Sequence, residues 1–178
     1  LSMDLNSYDC VLRDVNINGA SGCGLYIRSG AQLSFDNVAV YSGYKGVEIA
    51  AAVADLQWTG GSLDHNSIYG LVINKSNSGY PGAGRMFSQL KFLQNGLSAD
   101  NGYPDVYFTD DEKASVFSQC YHFGHAENSS KRQTYPYQFV NSAARVRAIG
   151  CNFATSKFNS GTIANTMSCV EQTANHTF

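Results

Sequence analysis

The sequence predicts an all-β fold, a parallel β-helix solenoid of about six coils with three short strands per coil, on the strength of its internal repeats. Six stretches share the pattern apolar-x-x-apolar-x-apolar: Leu12-Val15-Ile17, Phe35-Val38-Val40, Trp58-Gly61-Leu63, Phe87-Leu90-Phe92, Phe117-Cys120-His122 and Ala148-Cys151-Phe153. Their starts lie 23, 23, 29, 30 and 31 residues apart, a period at which a unit buries its apolar face only by stacking on its neighbours. A bend dipeptide recurs at one offset inside every stretch. A second feature follows the first three: Gly24-Leu25-Tyr26-Ile27, Gly46-Val47-Glu48-Ile49 and Gly70-Leu71-Val72-Ile73, separated by 22 and 24 residues.

Each element follows from these repeats. The two-residue gap after the first apolar position breaks strict alternation, so each stretch reads as a strand, a tight bend and a second short strand. The bends are Arg13-Asp14, Asp36-Asn37, Thr59-Gly60, Ser88-Gln89, Ser118-Gln119 and Ile149-Gly150, mostly with a small polar residue or glycine second, where tight backbone angles are tolerated. The glycine-led feature is the third strand, with looser later copies at Val106-Tyr107-Phe108, Tyr137-Gln138-Phe139 and Met167-Ser168-Cys169. Three strands in so short a period leave no room for a helix, and neighbouring coils pair in parallel at about 4.8 Å. Ile17, Val40, Leu63 and Phe92 are then expected to stack as an interior ladder. A β-sandwich or closed barrel also uses many short strands, but it does not place a bend at a fixed offset inside a fixed period.

The 178 residues allow one domain, 1–178. Its 11 Tyr and 10 Phe, with only 15% charged residues, suit an extracellular or virion-surface β protein. A net charge of −2 and no basic cluster beyond Lys131-Arg132 argue against nucleic acid as a partner. The longest apolar run, 49–54, is too short for membrane insertion, and the opening residues lack the basic and apolar regions of a signal peptide. Solenoids need polar caps, and neither end carries an amphipathic helix, so the chain is expected to be a fragment of a longer one or to be covered by partner subunits, as in a homotrimer. Five cysteines, an odd number without metal-ligand spacing, exclude a complete disulfide framework and indicate no metal site. Cys120 and Cys151 occupy the same inward position of successive coils, where reduced core thiols are expected.

The connections flanking the third strand are the ones that grow. They lengthen to 93–105, 123–136 and 154–166, with a further insertion at 74–84, so a groove is expected along this face. Its outward residues are Tyr26, Glu48, Val72, Tyr107 and Gln138, with Arg28 and Asn74 two residues along. Aromatic faces pack on sugar rings while carboxylate, guanidinium and amide groups bind hydroxyls, which makes Tyr26, Arg28, Asn74, Tyr107 and Gln138 candidate glycan-binding residues. An ordinary solvated sheet face reads the same way.

The coils, in the style of Phe35-Asp36-Asn37-Val38 and Gly46-Val47-Glu48-Ile49, resemble those of the pectate lyase-like right-handed β-helix superfamily. Short aromatic-rich coils with irregular loops are most similar to phage tailspikes and receptor-binding β-helix proteins. The resemblance rests on the repeat and covers most of the chain. It implies a right-handed single-stranded helix, homotrimers, a place on the phage tail, and binding, cleavage or epimerisation of a bacterial surface polysaccharide, either capsule or O-antigen. A non-catalytic adhesive or structural module and a secreted polysaccharide lyase or epimerase are the alternatives.

Glycoside hydrolysis needs two carboxyl groups, about 5–5.5 Å apart for retention and about 6.5–9.5 Å for inversion. The candidate catalytic acids are Glu48 on the third strand, Asp64 after a second strand, Asp105 at the start of a third strand and Asp110, with Asp111, just past it. A lyase instead needs a base such as Arg28, Lys75, Arg85 or His65 at the groove edge. Asp110-Asp111, Gly124-His125 and Arg145-Val146-Arg147 occur in the order of polygalacturonase motifs, but the third ends in Arg147 rather than Lys and the residues are not expected on one strand face. Singly scattered acids do not form a calcium cluster. Gly22-Cys23-Gly24 lacks the helix and third glycine of a dinucleotide fingerprint, and no cofactor is indicated. His122 falls on the inward ladder, where a local bulge turning Phe123 inward is the expected resolution.

Overall fold

A computed structural model describes residues 3–74, 84–98, 103–109, 115–123, 136–140, 144–153, 170–173 and 176–177. Among them there are strands and no helices. β1 (Met3–Asn6) precedes the first repeat, which holds β2 (Val11–Arg13), β3 (Asn16–Asn18) and β4 (Cys23–Gly30). The second holds β5 (Leu33–Tyr41) and β6 (Lys45–Val53), and the third β7 (Leu56–Asp64) and β8 (Leu71–Ile73). The fourth holds β9 (Arg85–Ser88), β10 (Lys91–Leu93) and β11 (Val106–Phe108); the fifth β12 (Ser115–Ser118), β13 (Tyr121–Phe123) and β14 (Tyr137–Phe139). Then come β15 (Val146–Ile149), β16 (Asn152–Phe153), β17 (Val170–Thr173) and β18 (His176–Thr177).

Every pairing is parallel and joins a strand to its counterpart one repeat away. The third strands, led by β1, form a six-stranded sheet in the order β1-β4-β6-β8-β11-β14, and the remaining strands form a twelve-stranded sheet. β17 and β18 carry the larger sheet one repeat beyond the six expected, with Ala148 opposite Gln172 and Phe153 opposite Thr177. That repeat escaped the sequence pattern because both positions are polar. The expected strand at Met167-Ser168-Cys169 lies outside the described residues.

The corners explain why the chain turns where it does. The second residue of every expected bend has positive φ: Asp14, Asn37, Gly60, Gln89, Gln119 and Gly150, all between 52° and 69°. Two further corner series are marked likewise, Asp9, Gln32 and Asp55, and Gly19, Ser42, His65 and Gln94. The left-handed turn reverses direction without breaking the ladder: the corner N–H groups of Asp14, Gln89 and Gln119 still donate to the next repeat, at Asp36 O (3.0 Å), Ser118 O (2.9 Å) and Ile149 O (2.8 Å). At Asn37 and Gly60 the strands β5 and β7 run straight through the bend as single elements. Glycine is required at Gly61, where an added Cβ would meet Val38 O at 2.0 Å.

In-register pairing stacks like on like. Ile17, Val40, Leu63, Phe92, His122 and Phe153 stand in one line, and Leu12, Phe35, Trp58, Phe87, Phe117 and Ala148 in another. From Phe35 to Phe153 the inward side chains of both lines are at most 1% exposed. Their rings touch along the stack, with Phe35–Trp58 centroids 5.2 Å apart and Phe87–Phe117 4.8 Å apart. Burying each such ring stabilises the fold by about 1.5–3 kcal/mol. Cys120 and Cys151 are reduced, buried thiols, as expected. They donate to Phe87 O (3.4 Å) and Phe117 O (3.5 Å) respectively, and burial pushes the Cys120 thiol well above its ordinary range.

A polar chain runs through this interior. Asn66 Oδ1 accepts from Gly43 N (3.0 Å), Asn66 Nδ2 donates to Asn95 Oδ1 (2.8 Å), and Asn95 Nδ2 donates to Leu63 O and to Asp105 Oδ1 (both 2.9 Å). Asp105 Oδ2 lies 2.9 Å from His122 Nδ1, and His122 Nε2 lies 3.0 Å from the Tyr137 hydroxyl. Burial, followed by the nearby thiols and Asp105, holds the Tyr137 hydroxyl protonated, so it has a proton to share in this chain. Room for the amides comes from the glycines that open the third strands: a Cβ on Gly46 would meet Gly70 O at 2.4 Å and Asn66 Nδ2 at 2.8 Å, and one on Gly70 would meet Asn95 Nδ2 at 2.8 Å.

Two expectations are corrected here. His122 needs no bulge: it keeps the ladder register and is fully buried, stacked 4.5 Å from Phe92 and 5.2 Å from Phe153, because its two nitrogens find Asp105 and Tyr137. Asp105 does not open onto a groove. It occupies the place where earlier repeats carry Gly46 and Gly70, and it too is fully buried.

Thermal denaturation is expected to separate the two adjacent glycines. Gly61→Ala drives a Cβ into the Val38 carbonyl at 2.0 Å and lowers the midpoint sharply, whereas Gly60→Ala meets nothing closer than 3.9 Å. Gly60→Ala then costs only the left-handed backbone strain, about 1–2 kcal/mol. In denaturant titration His122→Phe keeps the ring stack and removes one hydrogen-bond partner each from buried Asp105 and Tyr137, an expected loss of about 1–3 kcal/mol.

Candidate functional site

The outward face of the six-stranded sheet is the surface on which the sequence-predicted binding residues converge. Parallel register sets Asp4, Tyr26, Glu48, Val72, Tyr107 and Gln138 side by side in one row. Arg28, Asn74 and Thr109 stand two residues further along their strands, with Asn74 N donating to Ile49 O and Thr109 N to Ile73 O. Tyr26, Arg28, Asn74, Tyr107 and Gln138 thus share a face. Val72 is in the row but only 4% exposed. The middles of the flanking links that were to wall a groove lie outside the described residues.

Within the row the polar groups are bonded to one another. Glu48 Oε2 accepts from Lys45 Nζ (2.8 Å), Glu48 Oε1 from Asn74 Nδ2 (3.3 Å), and Asn74 Oδ1 from Thr109 Oγ1 (2.9 Å). The Glu48 hydrogen bond raises the Lys45 pKa, so the ammonium is retained. Arg28 is ion-paired with Asp4. Cys23, beside Lys45 and Glu48, is pushed up to about 11, chiefly by burial and then by the Glu48 charge; its thiol is a neutral packing group rather than a nucleophile.

Beside the row lies an aromatic cluster that sequence reasoning missed in part. Tyr69 stacks on Tyr107 with centroids 4.7 Å apart and planes at 7°, and meets Tyr103 edge-on at 5.4 Å. Burial, then the neighbouring Tyr107, Tyr103 and Tyr44, raises the Tyr69 hydroxyl pKa, which identifies the four as one group; Tyr44 is 49% exposed. Tyr69 immediately precedes Gly70 and Tyr103 sits in a long link, where no periodicity marks a side chain's direction. Their position in front of the third strand was the available signal.

The described candidate acids, Glu48, Asp64 and Asp105, do not converge. Glu48 is on this face. Asp64 belongs to the other sheet, opposite Tyr41, and is bonded to the His65 ring. Asp105 is interior, and Asp110 lies outside the described residues. Of the possible lyase bases, Arg28 is paired with Asp4 and His65 with Asp64. Arg85 is corrected from groove edge to core: fully buried, it donates to the carbonyls of Ala50, Val53 and Asn74 where β6 carries an extra residue relative to β4. Lys75, Asp111 and His125 lie outside the described residues, and Arg147 is on the twelve-stranded sheet opposite Val116, away from the Glu48 row.

Glu48→Gln removes a charge that raises the Cys23 pKa and leaves burial, the larger cause, in place. Alkylation of Cys23 in mildly alkaline buffer, followed by peptide mass analysis, is expected to become severalfold faster in the variant and to remain slower than that of a free thiol.

Comparison with protein-family models, with curated proteins and with solved structures finds no match to this chain.

Proposed function

We propose that the chain winds as a right-handed single-stranded parallel β-helix and acts as the polysaccharide-recognition module of a tailspike-like, receptor-binding protein at the virion surface or outside the cell. Support for the winding comes from uniformly parallel pairing between successive repeats, three left-handed corner series, and the strong preference of parallel crossovers for the right hand. A homotrimer belongs to the same reading.

The observation that carries the function is the Tyr69–Tyr107 stack beside the bonded Lys45–Glu48–Asn74–Thr109 row. Aromatic rings next to fixed hydroxyl-binding groups are what a sugar ring needs. Recognition is favoured over depolymerisation, because of the three described candidate acids, Glu48, Asp64 and Asp105, only Glu48 lies on this face, and each of its oxygens already accepts a hydrogen bond. The ligand is a bacterial surface polysaccharide.

The test is incubation of the chain with a panel of capsular and O-antigen polysaccharides, with mass analysis of any products. Retention without fragments supports recognition; hydrated or unsaturated fragments return the reading to a hydrolase or a lyase. Tyr107→Ala is expected to weaken retention about tenfold, equivalent to about 1.4 kcal/mol, while leaving the circular dichroism spectrum unchanged.

A further inference from the structure

We infer that the glycan recognised by this face is uncharged: its sugar rings stack on the Tyr69–Tyr107 platform and its hydroxyls donate to Glu48 and Thr109. The inference rests on the glycan reading and narrows it to one chemical class.

Charge comes first. A uronate, sialate or phosphate on a glycan needs a cation to replace its lost hydration. The described cations of this face each already face a carboxylate: Lys45 is bonded to Glu48 and Arg28 is paired with Asp4. Two cations set against two carboxylates leave the described face neutral. Arg85 is fully buried and directed at backbone carbonyls.

Hydrogen-bond polarity points the same way. A carboxylate offers about four acceptor sites, and Lys45 and Asn74 occupy one on each oxygen of Glu48. Asn74 donates to Glu48 and accepts from Thr109, so the Thr109 hydroxyl has committed its proton and keeps lone pairs. The row therefore presents spare acceptors more than spare donors, and it is complementary to sugar O–H groups, which donate. An anionic sugar substituent would bring acceptor against acceptor and charge against the Glu48 charge.

The tyrosines supply the apolar complement. Their ring faces are attracted to the C–H faces of a pyranose without regard to charge. Tyr26 and Tyr107 are three strands apart in one row, about 14 Å at the usual strand spacing, so a short oligosaccharide bridges them across Glu48.

The experiment compares acidic bacterial polysaccharides with their own carboxyl-reduced, neutral forms, alongside neutral O-antigens, on immobilised full chain at low and high salt. Expected are retention of neutral polymers, a gain of about tenfold on carboxyl reduction of any polymer bound, and little change with salt. Tyr107→Phe should bind like the parent chain, and Tyr107→Ala should not. Equal or stronger retention of the acidic form, lost as salt rises, overturns the uncharged class while leaving glycan recognition standing. Retention of no polymer by the folded chain overturns both.

Discussion

Parallel pairing in register is the constraint on which the rest of this structure depends. Once each strand bonds to its counterpart one repeat later, every residue stands on its own equivalent about 4.8 Å away, and the chemistry of a position is multiplied along the stack. Apolar positions become ladders, glycines become a channel, and left-handed corners become ridges. The repeat lengthens from 23 to 31 residues along the chain without disturbing the ladders, because the added residues enter the links beside the third strand and not the paired segments.

The interior polar chain is a second consequence of stacking. After the corner residues Gly19 and Ser42 come Ala20 and Gly43; after His65 and Gln94 come Asn66 and Asn95. A small residue leaves the corner empty of side chain, whereas asparagine fills it and bonds the turn of the preceding repeat through Gly43 N. Asn95 then passes the chain to Asp105, and Asp105 to His122 and Tyr137. Each buried polar group in the series has a partner, so its desolvation is offset. Because Asp105 opens β11, the same chain anchors the strand that presents Tyr107.

The outward row is legible in the sequence because it needs only two facts, alternation along a strand and equivalence between repeats. Tyr26, Glu48, Tyr107 and Gln138 follow from counting. Asp105 failed for an equally physical reason: it replaces the glycine of earlier repeats, so it falls on the corner rather than on the outward row, and its carboxylate is satisfied inside. Arg85 failed because a bulge in β6 redirects backbone carbonyls at Ala50 and Val53, and a bulge has no periodic signature. Tyr69 and Tyr103 went unread because they belong to links, whose side chains take direction from packing alone.

By itself the sequence determined the parallel all-β architecture, the inward ladders, the corners and the membership of the outward row, since each depends on a period and on residue size. Tertiary structure alone decided which polar groups turn inward and which stay on the surface. A hydrogen-bonding side chain goes where partners are, and its partners here lie 17 residues away for His122 and Asp105, 15 for His122 and Tyr137, and 29 for Asn66 and Asn95. Apolar burial is non-directional and survives as a pattern in one dimension; hydrogen bonding is directional and is resolved only when the repeats have stacked.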